Sequence, residues 1–284
     1  MTFNDNAKIN SGRTRRRGRT GGIVAGGGVV GVVALFLLSQ LLGVDLTGLA
    51  GGGGAQNGSD ESIANCETGA DANAGGDCRL ASAGDSIDTY WAGELPDYRP
   101  TDVVLFTDQT DTGCGGATSA VGPFYCPADE TIYIDTSFFD ELSTRFGASG
   151  GPLAEMYVLA HEWGHHIQNI SGMMEGLDLQ TTGPQSDGVR LEVQADCYAG
   201  AWAGEASTVP DDSGTPFLEE ITSEQLAQAL SAAAAVGDDR IQGSAGGGVN
   251  PETWTHGSSE QRQQWFTTGF EGGPAACDTF GAAL

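Results

Sequence analysis

Three of the chain's four histidines fall within six residues, in Ala160-His161-Glu162-Trp163-Gly164-His165-His166. His161, Glu162 and His165 spell H-E-x-x-H. On a helix, His161 and His165 lie four residues apart, ~40° apart around the axis, so two imidazoles can reach one ion. The spacing points to Zn2+, with Glu162 leaning to the same side as a base for a water molecule. His166 stands five residues from His161, ~140° around the axis, and should point away as a structural residue.

A catalytic zinc takes three protein ligands and keeps one side open. Arg190-Leu191-Glu192-Val193-Gln194-Ala195-Asp196-Cys197-Tyr198 supplies carboxylates at Glu192 and Asp196, spaced i, i+4 on one helical face. We assign Glu192 to the metal and Asp196 to an N–H of a ligand histidine, His161, a bond that fixes tautomer and ring direction. Asp196 in the place of Glu192 is the alternative. His256, the histidine outside the cluster, is the candidate catalytic donor to a developing oxyanion, with Tyr133 and Tyr198 as alternatives.

These groups need rigid elements. Pro152 to Ile170 reads as one apolar helix: Pro152 at its start, then Leu153, Met156, Val158, Leu159, Trp163 and Ile167, and Ser171-Gly172 as a stop. Gly164 allows another backbone to come close. Leu191, Ala195, Tyr198, Ala199 and Trp202 line one side of a second helix. Val103-Val104-Leu105-Phe106 and Thr131-Ile132-Tyr133-Ile134 read as short strands. Phe138 and Phe139 read as core. Thr222-x-x-Gln225 and Ser258-x-x-Gln261 resemble capping boxes opening two further helices, the first closing near Gly237 and the second near Gly269. Gly243 to Gly248 reads as a loop. The expected class is α+β: a small sheet, two metal-binding helices and a helical C-terminal half.

H-E-x-x-H followed by E-x-x-A-D resembles the gluzincin peptidases, whose third ligand is a glutamate on a second helix. Five ordered segments sharpen the likeness: Pro123-Phe124-Tyr125-Cys126-Pro127-Ala128-Asp129, Thr131-Ile132-Tyr133-Ile134-Asp135, His161 to Gln168, Leu191 to Cys197, and Thr255-His256-Gly257-Ser258-Ser259. Together they resemble the neutral zinc metallopeptidase family, over roughly residues 61–284. The resemblance implies a zincin-like metallopeptidase domain. It also implies that the strand Thr131–Ile134 borders the cleft, where an extended peptide adds as a further strand.

Residues 1–20 carry Lys8, Arg13, Arg15, Arg16, Arg17 and Arg19, half of the chain's 12 basic residues. Residues 21–43 carry no charge and would span ~34 Å as a helix, enough for a bilayer core. The expected organisation is a basic cytoplasmic tail over 1–20, a transmembrane helix over 21–43, a flexible glycine-rich linker over 44–60, and the zinc metallopeptidase domain over 61–284. Cleavage after Gly48-Leu49-Ala50 is the rival to an uncleaved single-pass anchor. Beyond residue 43 only six arginines face most of the chain's 38 acids, a balance that repels nucleic acid. All six cysteines lie there too, and disulfides suit an oxidising compartment. Closeness in sequence favours Cys66–Cys78 and Cys114–Cys126, which leaves Cys197–Cys277.

The functional expectation is a membrane-anchored, zinc-dependent peptidase that hydrolyses peptide bonds outside the cytoplasmic membrane, with a peptide or protein substrate and Glu162 as general base. A non-catalytic envelope protein that keeps the zinc and binds a partner is the alternative. Glu162 separates them, because a purely structural site needs no base. A metal-dependent amidase of cell-wall peptides would share the same site.

Overall fold

The computed structural model describes residues 2–18, 60–63, 65–244, 246 and 248–284, in which a mixed sheet lies beside a helical layer. The apolar runs form the heart of the sheet. Val103 to Phe106 fall in β3 (Asp102–Phe106), and Thr131 to Ile134 in β7 (Thr131–Asp135), paired in parallel with Val104 opposite Tyr133. Strands apolar at successive positions need cover on both faces. Val103, Leu105, Ile132 and Ile134 face the helical core, while Val104, Phe106 and Tyr133 join a second cluster with Ala117, Val121 and Phe124. The second cluster lies under an antiparallel ribbon of β4 (Gln109–Thr112) and β5 (Gly115–Thr118). The main sheet runs β2 (Asp60–Ser62), β1 (Thr14–Arg17), β3, β7, β6 (Phe124–Cys126).

The helices are α1 (Gly69–Ala74), α2 (Asp77–Glu94), α3 (Phe138–Thr144), α4 (Pro152–Ile170), α5 (Asp187–Glu205), α6 (Ser223–Ala235), α7 (Asp238–Ser244) and α8 (Ser259–Gly272). The α4 bounds are those its proline and apolar spacing predict. Both capping boxes form, with Thr222 and Ser258 accepting from the N–H of Gln225 and Gln261. α8 runs three residues past the expected stop at Gly269, and α7 takes the start of the segment expected as a loop from Gly243. The class is α+β, with the helical C-terminal half expected from the sequence.

The N-terminal expectation needs correction. Residues 1–20 read as a separate basic tail, yet Phe3 and Ala7 are buried at 1% and 0% exposure. Asn73 Oδ1 accepts the N–H groups of Thr2 and Phe3, and the Asn4 N–H donates to Phe217 O. β1 lies between β2 and β3, with Arg15 opposite Val104 on one side and Ser62 on the other. Its arginines pair with aspartates distant in sequence: Arg15 with Asp60 and Asp102, Arg16 with Asp77, Arg17 with Asp60. Those partners are invisible to a reading that follows the chain. Residues 21–43 and 44–59 lie outside the described residues. Among the described residues no helix is long and apolar enough to cross a membrane.

Replacement of Phe3 by Ala removes a fully buried ring and should cost about 3–5 kcal/mol. The measurement is the urea midpoint, at an unchanged slope. An unshifted midpoint would show that the N-terminal segment does not pack.

Candidate metal centre

α4 carries His161, Glu162 and His165, and α5 carries Glu192 and Asp196. The two helices cross at Gly164, where a Cβ would stand only 2.8 Å from Ala195 Cα. A glycine facing an alanine is what this approach needs, since ordinary helix pairs lie 8–10 Å apart according to the side chains between them. The close crossing brings Glu192 Oε2 to 3.3 Å from His161 Nε2, and Glu192 Oε1 to 3.6 Å from His165 Nε2. All three donor atoms lie within 4.8 Å of one another. A tetrahedral zinc with ligands at ~2.0–2.1 Å holds its donors ~3.3 Å apart, so two imidazole nitrogens and one carboxylate fit that ion. Among the described residues no fourth His, Cys, Asp or Glu joins the group.

Asp196 sits behind the donors. It is fully buried, and its Oδ1 lies 2.9 Å from His161 Nδ1. Glu192 faces the metal position and Asp196 the ring's far nitrogen. His165 is held in the same manner: its Nδ1 lies 2.9 Å from Gln168 Oε1, and Gln168 Nε2 donates to Leu191 O at 2.7 Å. His166 is turned away, with Nδ1 3.1 Å from Tyr125 Oη and Nε2 2.6 Å from Arg99 O.

Sequence reasoning missed three members of this cluster. The Tyr157 hydroxyl donates to Asp196 Oδ1, and Arg262 grips the same carboxylate with Nε to Oδ2 at 2.7 Å. Gln168 is the third. Tyr157 lies four residues before His161 and Gln168 three after His165, so helical spacing was the available signal for both. Nothing in the chain marked Arg262.

His256 is 9% exposed and lines the cavity over the three donors. Its loop is built on Asp238, whose Oδ2 accepts the N–H groups of Thr255, His256 and Gly257 at 2.8, 2.7 and 3.0 Å. The ring is fixed through Nδ1, 2.8 Å from Thr255 Oγ1. The alternatives are engaged elsewhere: Tyr133 donates to Asp129 and Tyr198 to Met173 Sδ.

The cavity measures about 420 Å³ and is largely apolar, with Val121, Phe124, Phe138, Phe146, Val158 and Ile241 among its walls. Phe138 packs against the core, as read from the sequence, and also lines the cavity. A correction concerns the cleft strand. β7 is paired with β3 along its length and with β6 over Thr131–Tyr133, so those three residues have no free edge for a further strand. The sheet edge beside the cavity is β6, whose Phe124 and Tyr125 line it. All three expected disulfides are present: Cys66–Cys78, Cys114–Cys126 and Cys197–Cys277. The second ties β6 to the β4–β5 turn, and the third ties α5 to the C-terminal segment.

The electrostatics suit a cation. Burial works against a charged Glu192, yet His256, His165 and His161 hold its pKa well below the carboxylate range. Asp196 is likewise buried and still held at about 2 by Arg262 and His161. Burial opposes a charged His161 ring, but Asp196 and Glu192 raise its pKa to about 10. The metal-free cluster therefore keeps a proton that a divalent ion must displace. Glu162 goes the other way: burial raises its pKa, which makes it a stronger base than a solvated carboxylate.

Dialysed wild-type protein should hold about one zinc per chain by elemental analysis. His161→Ala, His165→Ala and Glu192→Ala should lose it, and Glu162→Gln should keep it. Because the His161 proton competes with the ion, zinc affinity should weaken as pH falls through the neutral range. A titration with a competing chelator at several pH values checks the sign.

The chain matches the family model described as "Putative neutral zinc metallopeptidase" over residues 3–280. An uncharacterized protein of Mycobacterium tuberculosis, Rv2575, is 54% identical over 223 residues, 78% of this chain and 76% of that protein. The uncharacterized protein YpfJ of Escherichia coli K12 is 39% identical over 285 residues, 95% of each chain. No solved structure matches the chain significantly. The family match begins at residue 3, within the segment that packs into the sheet. With nearly its whole length aligned, and two histidines and a glutamate gathered where one zinc fits, the chain belongs to the neutral zinc metallopeptidase family.

Proposed function

We propose that the protein is a zinc-dependent peptidase that hydrolyses peptide bonds with Glu162 as general base. One observation carries this reading: a buried carboxylate of raised pKa stands beside a three-donor centre that opens onto a cavity. A structural zinc site closes its fourth side with a protein ligand and has no use for such a base. When bound, zinc supplies Lewis acidity at this position. Glu162 takes the proton from the attacking water and passes it to the leaving amine. His256, fixed through Nδ1 by the Asp238-held loop, presents the rest of its ring to the developing oxyanion.

The substrate reading follows from the walls. The β6 edge offers backbone groups to an extended peptide, as in strand addition. The apolar lining suits large apolar side chains next to the scissile bond. Acidic side chains meet Glu162 and Glu192, while Arg262, the one arginine or lysine among the described lining residues, is already engaged by Asp196. We place the activity in an oxidising compartment outside the cytoplasm, because three disulfides persist there. Membrane attachment through residues 21–43 is part of the proposal.

Glu162→Gln should retain zinc and lower kcat by roughly 100- to 10,000-fold on a peptide substrate. Unchanged turnover would remove Glu162 as the base. In a peptide-library digest, cleavage should concentrate beside large apolar residues and stop with chelator. Cleavage chiefly beside acidic residues would overturn the substrate reading.

A further inference from the structure

We infer that Arg262 is a positioning residue for the metal: through Asp196 it fixes the direction in which His161 presents Nε2. This rests on the zinc reading of the centre. Arg262 lies near the start of α8, a helix that contributes no metal donor, and is only 3% exposed. A guanidinium so deeply buried is sustained only by well-formed partners. Nε donates to Asp196 Oδ2 at 2.7 Å and Nη2 to Asp196 Oδ1 at 3.0 Å, a two-pronged grip on one carboxylate. Nη2 also donates to Tyr157 Oη at 3.2 Å, and Nη1 to Val236 O at 3.3 Å.

Asp196 Oδ1 serves His161 Nδ1, Tyr157 and Arg262 together. Among the described residues Oδ2 has one donor, Arg262 Nε. The fork therefore sets the plane of the carboxylate. With that plane set, Oδ1 meets the Nδ1–H of His161, which leaves Nε2 free to face Glu192 and His165. Without the fork the carboxylate can turn about its own axis, and the ring loses its fixed acceptor.

The backbone carrying Arg262 is itself immobilised. A Cβ at Gly269 would stand 1.8 Å from Cys197 O, and one at Gly200 would stand 2.0 Å from Phe266 O. α8 and α5 thus touch backbone to backbone, one turn or so beyond the Asp196–Arg262 pair. The guanidinium's bonds to Asp196, Tyr157 and Val236 leave it little capacity to hold a substrate. Its place at the cavity wall is therefore one of support.

The test is zinc affinity of the full chain, measured by competition with a chromophoric chelator. Wild type, Arg262→Lys, Arg262→Met, Asp196→Asn and the double variant Arg262→Met/Asp196→Asn are compared. Arg262→Met should weaken zinc binding about 10- to 100-fold, the range for groups that orient a metal ligand. Arg262→Lys should fall between, since an ammonium lacks the planar fork. The double variant should be no worse than the weaker single variant, because the two residues act as one unit. Cobalt(II) loaded in place of zinc should show visible bands shifted in Arg262→Met, reporting altered ligand geometry. If Arg262→Met does not fold, the double variant, neutral at both positions, and Arg262→Lys carry the comparison. Wild-type affinity and an unshifted cobalt spectrum in a folded Arg262 variant would overturn the inference. A wild-type chain that takes up no zinc would instead overturn the metal reading beneath it.

Discussion

The close crossing of α4 and α5 at Gly164 and Ala195 governs the centre. Neither helix alone holds three metal donors. The distance between them decides whether Glu192 reaches the two imidazoles, and that distance is set by two residues with almost no side chain. The apolar faces of both helices then make the approach favourable, since they bury Leu159, Trp163, Val193 and Trp202 in a common core. Packing and ligation are thus one constraint. A side chain at position 164 would act on metal geometry without touching the metal.

Around the crossing, the buried charges other than Glu162 are arranged so that each has a partner. Asp196 answers His161 and Arg262, Glu192 answers the histidines, and Asp238 collects three backbone N–H groups to hold the His256 loop. In a low-dielectric interior such groups persist only with partners, which gives the centre its rigidity. Among the described residues Glu162 makes no ion pair, and its burial is what makes it basic. The division resembles the general rule that two carboxylates in one site take different tasks when their surroundings differ.

The same logic explains the arginines of the first strand. A chain with a net charge of −26 has few cations, and the structure places Arg15, Arg16 and Arg17 against aspartates on separate elements. Read along the sequence, that run is a charged tail before an apolar segment. Read in space, it is a strand that joins the edge Asp60–Ser62 to the parallel pair β3–β7.

Local sequence determined what short-range physics controls. The bounds of α4, both capping boxes, the apolar β3 and β7, and the pairing of His161 with His165 follow from helical or strand periodicity within a few residues. The i, i+4 spacing of Glu192 and Asp196 put both carboxylates on one face. Tertiary structure alone decided which of them meets the metal, because that depends on how α5 crosses α4. It also brought Arg262 to Asp196 across 66 positions and inserted β1 beside β3. It made β6 rather than β7 the edge at the cleft. These are long-range pairings, fixed by backbone contact and by the matching of buried charge, and no periodicity along the chain records them.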